Sequence, residues 1–333
     1  MKLKIKENHP IFNTFHIEAR AARYAEYASV EELQSLIPEL AHQTVLHVGG
    51  GSNLLFLKDF DGIVLHSAIR SIDIVEEDEK SVIVRVGAGI VWDDLVAHTI
   101  QQGWSGAENL SLIPGEVGAS AVQNIGAYGA EAKDIIVQVE AIELLTGKMR
   151  VFENAECNYA YRQSIFKQEL RGKYAITHVS YRLSKQFEPH ISYGNIQSQL
   201  PEGEPLTPQL VRETVIKLRQ SKLPDPEVQG NAGSFFMNPV VSQEQFESIQ
   251  KDYPNMPFYV VPNGIKIPAG WLIEQCGWKG KSLGPAAVHS RQALVLVNLG
   301  GATGQDILRL SDTVRQAVKD KFNINIHPEV NII

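Results

Sequence analysis

The chain has 333 residues, a length that suggests about two domains. Its hydrophobic fraction of 44% and charged fraction of 21% are those of an ordinary globular protein, which argues against a disordered or fibrous chain. The formal net charge is −7, so nucleic acid, whose phosphates would be repelled, is not an expected partner. A small anionic ligand needs only a local cationic pocket and is compatible with this charge.

The cysteine and histidine content excludes several kinds of site. Cys157 and Cys276 are far apart and lack a Cys-x-x-Cys spacing, which excludes a disulfide framework and a cysteine-based zinc site and indicates a reducing compartment. The histidines show no ligand spacing, so we predict no metal site. The most apolar stretch, Ala293 to Leu299, is far shorter than the roughly 20 residues that span a bilayer. We expect a cytoplasmic protein with no membrane insertion.

Helix and strand patterns alternate in the first part of the chain. Ser29 to Glu32 has the sequence of a capping box and precedes apolar residues at helical spacing. Val45 to Val48 predicts a strand, and a second apolar run, Leu54 to Leu57, follows a glycine-rich turn. Val82 to Val86 predicts another strand, and the helix after it is expected to end just before Gly103.

The later elements are punctuated by prolines. A hairpin is predicted over residues 137–152 and a strand over 175–183, after which several prolines mark a domain boundary near residue 188. A helix is predicted to start at Thr207-Pro208 and to end before Pro224. Three more helices are predicted, beginning near Ser242, Pro268 and Thr303. Because each half mixes strands and helices, the fold class is predicted to be α+β.

The first candidate ligand loop is a run of five residues: Gly49, Gly50, Gly51, Ser52 and Asn53. Consecutive glycines let backbone N–H groups converge on an anion and let the chain approach a diphosphate closely. The Rossmann fingerprint fails here, because position 54 is Leu and no helix is predicted to follow. A glycine-rich β-turn without a ligand explains the loop equally well.

The second candidate is the segment from Ile113 to Gly129, in which small residues dominate and the amides Gln123 and Asn124 stand together. Such a surface lets a flat ring lie against the backbone while amides bind its polar edge. The alternative is a tightly packed loop between layers, and the length of the segment favours a ligand surface.

Two groups of cations allow more than one interpretation. Arg162 follows Tyr161, and its planar fork suits a carboxylate, but an internal ion pair is the simpler explanation. Lys217, Arg219 and Lys222 gather at the end of the predicted helix. They could bind a diphosphate or complement the helix dipole, and the residues alone do not separate these alternatives.

Ser234 and Glu329 carry little signal by themselves. Ser234 lies in Gly-Asn-Ala-Gly-Ser-Phe-Phe, which lacks the Gly-x-Ser-x-Gly signature of serine hydrolases, so an isolated turn serine is the simpler interpretation. Glu329 would ordinarily be a solvated carboxylate at the end of a strand.

Taken in order, seven segments closely resemble the UDP-N-acetylenolpyruvoylglucosamine reductase (MurB) family. They are Gly49 to Asn53, Ile113 to Gly118, Gln123 to Gly129, Tyr161 to Phe166, Leu223 to Pro226, Gly230 to Phe236 and His327 to Glu329. Each motif is weak alone, but seven in this order are specific. The resemblance runs from about the first strand to the C-terminus.

The resemblance implies a p-cresol methylhydroxylase-type, non-Rossmann FAD-binding domain over residues 1–188, in two subdomains split near residue 70. An α+β substrate-binding domain would follow over 189–333, with its last residues returning toward the flavin. The implied enzyme is an oxidoreductase that uses NADPH and non-covalently bound FAD to reduce UDP-N-acetylglucosamine enolpyruvate to UDP-N-acetylmuramate. This reaction serves peptidoglycan synthesis, and the enzyme would be a monomer.

The resemblance also assigns residues to roles. Those implied to hold FAD are Gly49, Gly50, Gly51, Ser52, Asn53, Ile113, Pro114, Gly115, Gly118, Ala119, Ser120, Asn124, Ile125 and Gly126. Those implied to contact the substrate are Tyr161, Tyr193, Lys222 and Asn238. Arg162 would stabilise the enolate-like charge, Glu329 would donate a hydrogen bond to it, and Ser234 would deliver a proton.

Two alternatives remain at this point. One is another flavoenzyme of the same fold that oxidises an alcohol or a sugar with O₂, since a fold does not fix a function. The other is a nucleotide-sugar binding protein without catalysis. The joint presence of Arg162, Ser234 and Glu329 counts against both.

Overall fold

A computed structural model describes residues 5–193 and 195–333. Residues 1–4 of the predicted first domain lie outside the described residues, as does Gly194, the neighbour of the predicted substrate residue Tyr193.

The described chain contains helices and strands in mixed order. The helices are α1 Val30–Leu40, α2 Trp92–Gln101, α3 Val117–Gln123, α4 Ile196–Gln199, α5 Pro208–Lys222, α6 Gln243–Asp252, α7 Ala269–Gln275 and α8 Gly304–Phe322. Short 3-10 helices lie at Glu108–Leu110, Ala132–Asp134, Asn154–Cys157 and Ile165–Lys167. The first strands are β1 Lys6–Pro10, β2 Arg20–Tyr27, β3 Val45–Val48, β4 Leu54–Leu55, β5 Phe60–Ser67, β6 Ile72–Glu77, β7 Ser81–Gly87, β8 Gly126–Ala127, β9 Ala130–Glu131, β10 Ile136–Glu143, β11 Met149–Glu153 and β12 Tyr174–Ser184. The remaining strands are β13 Asn231–Ser234, β14 Val240–Val241, β15 Tyr259–Val261, β16 Gly264–Lys266, β17 Ser282–Leu283, β18 Ala286–Val288, β19 Val295–Asn298 and β20 Asn331–Ile332.

The chain divides into two compact units, and each is built from separate stretches of sequence. Unit 1 comprises the residues up to Pro10, Arg20–Gly50 and Phe60–Ser221. Unit 2 comprises Ile11–Ala19, Gly51–Asp59 and Lys222–Ile333. This division differs from the predicted boundary near residue 188, because most of α5 belongs to unit 1 and two early segments belong to unit 2.

Unit 1 contains three sheets, of which the smallest pairs β8 with β9. The four-stranded sheet has the order β1-β2-β5-β3, in which β5 pairs in parallel with both β2 and β3. Leu33, Leu36 and Leu40 of α1 pack against this sheet in one buried cluster. The five-stranded sheet is antiparallel throughout and has the order β11-β10-β12-β7-β6.

Helices α2 and α3 share the main core of unit 1 with the five-stranded sheet. Trp92 of α2 and Tyr181 of β12 meet edge to face within this core, and Val117 and Ala121 of α3 join them. The core therefore fixes α3, and with it the chain on both sides of α3, which holds most of the predicted FAD contacts.

Unit 2 is built from small sheets and the helices α6, α7 and α8. Its largest sheet has the order β13-β19-β18-β17, and α8 packs on β18, β19 and α7. A three-stranded sheet has the order β14-β16-β15, and β20 pairs in parallel with β4. Because of this last pairing, the C-terminal segment lies beside the chain that follows the first glycine loop.

Most of the predicted elements are confirmed. The side chain of Ser29 caps α1 by accepting a hydrogen bond from the backbone N–H of Glu32, and Thr303 and Asp306 form a complete capping box at α8. The predicted helix at Thr207-Pro208 is α5. As predicted, the first glycine loop is followed by a strand, β4, and not by a helix.

Helix α3 was not predicted as a helix. Its sequence, Val-Gly-Ala-Ser-Ala-Val-Gln, has small residues where an amphipathic helix would carry a stripe of large apolar ones. It is held as a helix by packing against unit 1 rather than by a periodic pattern.

Candidate active site

In unit 1 the two predicted ligand loops lie against each other. A Cβ on Gly50 would lie 3.6 Å from the Cα of Gly115, and a Cβ on Gly49 would lie 3.1 Å from Oε2 of Glu116. The two backbones meet with almost no side chain between them. This arrangement fits the diphosphate of a dinucleotide such as FAD, which needs a close approach of the backbone that a Cβ at these positions would crowd.

The remainder of the first loop belongs to unit 2. Gly51 has φ +63°, and a Cβ there would overlap the carbonyl oxygen of Phe12 and lie 2.9 Å from the Cα of Asn13, so glycine is required for both reasons. The carbonyl of Asn53 accepts a hydrogen bond from the N–H of Asn331 at 3.0 Å. The amide of Asn53 donates to the carbonyl of Glu329 at 3.4 Å. The structure thus brings a predicted FAD residue and a predicted catalytic residue together.

Helix α3 contributes packing as well as surface. A Cβ on Gly118 would lie 3.0 Å from the Cβ of Ala88, so glycine lets the helix sit against the chain after β7. The hydroxyl of Ser120 is buried, donates to the carbonyl of Val117 and pairs with the hydroxyl of Tyr181, each at 2.7 Å. These side-chain bonds stabilise unit 1 itself.

Asn124 ends α3 in the left-handed conformation and ties three segments together. Its side-chain amide donates to the carbonyl of Ala160 at 2.9 Å and to the carboxylate of Glu131 at 3.2 Å. Its side-chain oxygen accepts from the N–H of Lys133 at 3.0 Å. Its position beside Ala160 fixes the loop that carries Arg162.

Arg162 is held with its guanidinium against the backbone after α3. Its Nη2 donates to the carbonyl of Gly126 at 2.6 Å, and its Nη1 donates to the carbonyl of Asn124 at 3.4 Å. A Cβ on Gly126 would lie 3.2 Å from Nη1 of Arg162, so the glycine leaves room for the guanidinium group. The guanidinium carbon lies 5.6 Å from the centre of the Tyr161 ring, within the range of a cation–π contact.

The cations near the end of α5 do not form one cluster. Lys217 and Lys222 are exposed, whereas Arg219 turns into unit 1. Burial lowers the pKa of Arg219, and the neighbouring charge of Arg162 lowers it further. Its Nε has no hydrogen-bond partner among residues 5–193 and 195–333, so a buried N–H is available to an anion or another acceptor.

Unit 2 brings Ser234 and Glu329 close in the backbone. Ser234 ends β13 opposite Val295 of β19. The next residue, Phe235, accepts a hydrogen bond at its carbonyl from the N–H of Glu329 at 2.8 Å, and Phe236 forms a bridge with Pro328. Both predicted catalytic side chains are half-buried on this pair of segments, while Arg162 belongs to unit 1.

The predicted substrate residues have different surroundings. Tyr193 is 47% exposed, and its Cβ would lie 3.0 Å from a Cβ on Gly129, so it stands next to the end of the small-residue segment. The side-chain oxygen of Asn238 accepts from the N–H of Ala269 at 2.9 Å at the start of α7. Lys222 is an exposed residue at the end of α5.

Sequence reasoning missed the ion pair of Asp93 with Arg212. Nη1 of Arg212 lies 2.7 Å from Oδ1 of Asp93 and Nη2 lies 2.9 Å from Oδ2, and Asp93 also accepts from the N–H of Leu112. The pair ties α5 to α2 and holds the residue before Ile113. No local signal could have indicated this pair, because its members are 119 positions apart.

Among residues 5–193 and 195–333, no group of three or more His, Cys, Asp or Glu side chains is arranged to hold a metal ion.

Within the same part of the chain, no helix has the length and apolar character needed to cross a bilayer.

Comparison with known proteins identifies the family of the chain. The family described as "UDP-N-acetylenolpyruvoylglucosamine reductase, C-terminal domain" matches residues 225–333, and an FAD binding domain family matches residues 21–153. A UDP-N-acetylenolpyruvoylglucosamine reductase of Bacteroides fragilis is 56% identical over 96% of this chain and 97% of its own length. One of Porphyromonas gingivalis is 48% identical over 99% of this chain and 100% of its own length.

A solved structure supports the fold. The UDP-N-acetylenolpyruvylglucosamine reductase (MurB) of Thermus caldophilus superposes with a TM-score of 0.70 at 22% identity, covering 100% of this chain and 99% of the other. The predicted α+β fold, with a non-Rossmann FAD-binding domain followed by a second domain, is confirmed. Similarity along the whole sequence and the whole fold establishes that the chain belongs to the UDP-N-acetylenolpyruvoylglucosamine reductase family.

Proposed function

We propose that the protein catalyses the NADPH-dependent reduction of UDP-N-acetylglucosamine enolpyruvate to UDP-N-acetylmuramate, a step of peptidoglycan precursor synthesis. The observation that carries this proposal is the similarity, from end to end, to proteins named UDP-N-acetylenolpyruvoylglucosamine reductase. As a member of this family with an FAD-binding domain, the chain is a flavoprotein oxidoreductase, and FAD is its redox cofactor.

FAD is assigned to the two glycine loops and the segment around α3. The close approach of Gly50 to Gly115 supports this assignment. Gly118, Ser120 and Asn124 are buried by packing, so their contribution is to hold the segment in place. We expect direct contacts from the more accessible predicted FAD residues of the segment, Ile113, Pro114, Gly115, Ala119, Ile125 and Gly126.

When bound, FAD supplies hydride transfer from NADPH to the vinyl carbon of the enol ether. Negative charge then develops on the carbon next to the substrate carboxylate. The fork of Arg162, fixed by the carbonyls of Asn124 and Gly126, is suited to stabilise that charge without reorganisation. Arg219 adds a second positive charge to the same part of unit 1.

Ser234 and Glu329 complete the proposed chemistry. Ser234 delivers a proton to the charged carbon as general acid, and Glu329 in its protonated form donates a hydrogen bond to the enolate-like group. The backbone bonds that join their segments in unit 2 support a shared role, because they fix one residue relative to the other.

The substrate is assigned to Tyr161, Tyr193, Lys222 and Asn238. The exposure of Tyr193 and Lys222 supports this assignment, since each presents its side chain to solvent and ligands. The exposed ammonium group of Lys222 suits a diphosphate. The side-chain oxygen of Asn238 accepts from the start of α7, and this hydrogen bond orients the amide that we assign to the substrate.

The functional division of the chain is also a proposal. We assign FAD binding to residues 1–188 and substrate binding to residues 189–333, and the ranges of the two matching families, 21–153 and 225–333, support this order. A monomeric state and a cytoplasmic location are proposed with it.

The test is a turnover assay on the FAD-loaded protein with NADPH and UDP-N-acetylglucosamine enolpyruvate. We expect NADPH oxidation that depends on the substrate, and mass spectrometry should detect a product heavier by one hydride and one proton. NADPH oxidation that proceeds equally without the substrate, together with no such product, would contradict the proposed reaction.

A further inference from the structure

A carboxylate lies beside the glycine loops of unit 1. Glu116 precedes α3, its side chain is only 11% exposed, and its Oε2 would lie 3.1 Å from a Cβ on Gly49. Gly49 leaves room for this carboxylate, and Gly115, which approaches Gly50, is its neighbour in the chain. The location is unexpected, because these loops are assigned to the diphosphate of FAD, which carries negative charge.

Two negative charges at one partly buried position repel each other, and the repulsion is strong where water screens it poorly. A carboxylate beside the diphosphate would therefore weaken FAD binding unless a cation neutralised it. The structure places one candidate for this cation against Glu116.

His66 of β5 bridges two carboxylates. Its Nε2 lies 2.9 Å from Oε1 of Glu116, and its Nδ1 lies 2.9 Å from Oε2 of Glu26 on β2. A neutral imidazole has only one N–H, so hydrogen bonds from both nitrogens to two carboxylates require the imidazolium form. The hydrogen bond to Glu116, which outweighs the effect of burial, raises the pKa of His66 above its usual value.

The other groups around His66 keep their charge states near neutral pH. Burial lowers the pKa of His47 on β3 to about 4, and burial raises the pKa of Tyr24 on β2 to about 12. The hydrogen bond to His66 lowers the pKa of Glu26, which also lies near Lys6 of β1. Burial raises the pKa of Tyr27 on β2 far above neutral pH. The ordinary pKa of histidine lies near neutrality and that of His66 is raised from it, so His66 is the member of this group that we expect to lose its charge as the solution becomes alkaline.

We propose that His66 and Glu116 form a charge-compensated support for FAD, in which the imidazolium of His66 neutralises Glu116 and so determines how tightly the apoprotein holds FAD. The inference rests on the proposed function, since it takes FAD as the ligand of the glycine loops. His66 is a positioning residue here, because it acts on FAD through Glu116.

The sign of the pH dependence follows from the charges. Below its raised pKa, His66 is positive and neutralises Glu116, and above that pKa the carboxylate of Glu116 is left uncompensated. The diphosphate of FAD keeps its charge across this range. FAD affinity is therefore full at low pH and falls as the pH rises through the pKa of His66.

The experiment measures the FAD dissociation constant of the apoprotein by quenching of flavin fluorescence between about pH 6 and pH 9. We expect the constant of the unmodified protein to rise by about tenfold across this range, the size expected for one charge changed beside a partly buried anion. In His66→Gln the FAD dissociation constant should be raised about tenfold already at the lowest pH, and it should change little as the pH rises.

Glu116→Gln provides a result that a misfolded protein cannot give. With the carboxylate removed, FAD should bind at least as tightly as to the unmodified protein at low pH, and the pH dependence should shrink. His42→Asn is the matched control, because His42 is exposed in the same unit and Asn tolerates its φ of +64°. This variant should keep the affinity and the pH profile of the unmodified protein.

Three results would overturn the inference while leaving FAD as the cofactor. They are a pH-independent constant in the unmodified protein, a His66→Gln variant that matches it at low pH, and a Glu116→Gln variant that binds FAD more weakly. Absence of FAD binding at every pH would instead overturn the proposed function and this inference with it.

Discussion

Arg162 combines a strained backbone with a fixed side chain. Its φ is +56°, a value that costs a residue with a side chain on the order of 1 kcal/mol or more and persists only where the surrounding structure enforces it. Its guanidinium is held by the carbonyls of Asn124 and Gly126. A cation held at this cost suits the role that we propose for Arg162, which is to stabilise charge that develops during the reaction.

The Arg162→Lys variant should therefore turn over slowly. Lysine carries the same charge but lacks the fork that reaches both carbonyls, so the charge is no longer fixed in place. We expect turnover to fall by about 10²- to 10³-fold, the usual cost of removing a preorganised donor, with FAD still bound. Steady-state kinetics and the flavin spectrum measure both effects. Arg171→Lys, an exposed site in the same unit, is the control, and near-normal turnover in Arg162→Lys would make Arg162 structural.

Glu329 is proposed to act as a hydrogen-bond donor in its protonated form. Glu329→Gln keeps a neutral side chain with a donor, whereas Glu329→Ala removes the donor. We expect Glu329→Gln to turn over at least about tenfold faster than Glu329→Ala, when the oxidation of NADPH is followed in the presence of substrate. Equal losses in both variants would show that the acidity of the carboxyl, and not its hydrogen bond, is required.

At the scale of elements, the helices were predicted well where local chemistry determines their ends. Ser29 and Ser242 each accept a hydrogen bond from the N–H three residues later, and Thr303 does the same. These signals are local, so a single sequence contains them.

The elements that sequence reasoning missed depend on distant partners. Helix α3 lacks an apolar stripe, and its Ser120 is bound to the hydroxyl of Tyr181, 61 positions away. The sequence alone suggested a ligand role for Ser120 by resemblance, but it could not show that the hydroxyl is buried in the core. The contacts of His66 were missed for the same reason, since its partners are 40 and 50 positions away.

We expect substitution by alanine to have different effects at Gly50 and at Gly118, two glycines of unit 1. In Gly50→Ala the new Cβ makes only an ordinary contact with Gly115, so we expect a normal melting temperature and loss of FAD on gel filtration, because the Cβ occupies the proposed diphosphate site. In Gly118→Ala the Cβ would lie 3.0 Å from the Cβ of Ala88, inside the core. That variant should lose on the order of 1 to 3 kcal/mol of stability in denaturant unfolding, as expected of overpacking.

This pair of variants also has a clear contrary outcome. If Gly50→Ala retains FAD as firmly as the unmodified protein does, the first glycine loop is a structural turn. If Gly118→Ala loses FAD without loss of stability, the α3 residue contacts the cofactor directly.

At the scale of the whole molecule, the chain order does not follow the compact units. Residues 11–19 and 51–59 precede most of unit 1 in sequence but belong to unit 2. Composition shifts and prolines report local changes along the chain, so they indicated a single boundary near residue 188. They cannot report that the C-terminal strand β20 pairs with β4, a contact between residues 277 positions apart, Asn331 and Leu54.

FAD should stabilise the whole protein. A ligand that binds only the folded state adds about 2.7 kcal/mol of stability when its concentration is 100 times its dissociation constant. We expect the melting temperature of the apoprotein to rise with added FAD, as measured by differential scanning fluorimetry with a non-flavin dye. The same addition should shift Gly50→Ala much less, and an equal shift in both proteins would argue against binding at the glycine loops.

The most direct measurement is anaerobic visible absorbance of the bound flavin, with NADPH added first and UDP-N-acetylglucosamine enolpyruvate second, in the unmodified protein and in Ser234→Ala. In the unmodified protein the flavin absorbance should fall when NADPH is added and recover when the substrate is added. Ser234→Ala should bleach at the same rate but recover at least about 10²-fold more slowly, because the proton donor is missing, while Ser234→Cys should retain part of the recovery. Bleaching without recovery in the unmodified protein would contradict the proposed substrate, and normal recovery in Ser234→Ala would remove Ser234 from the reaction.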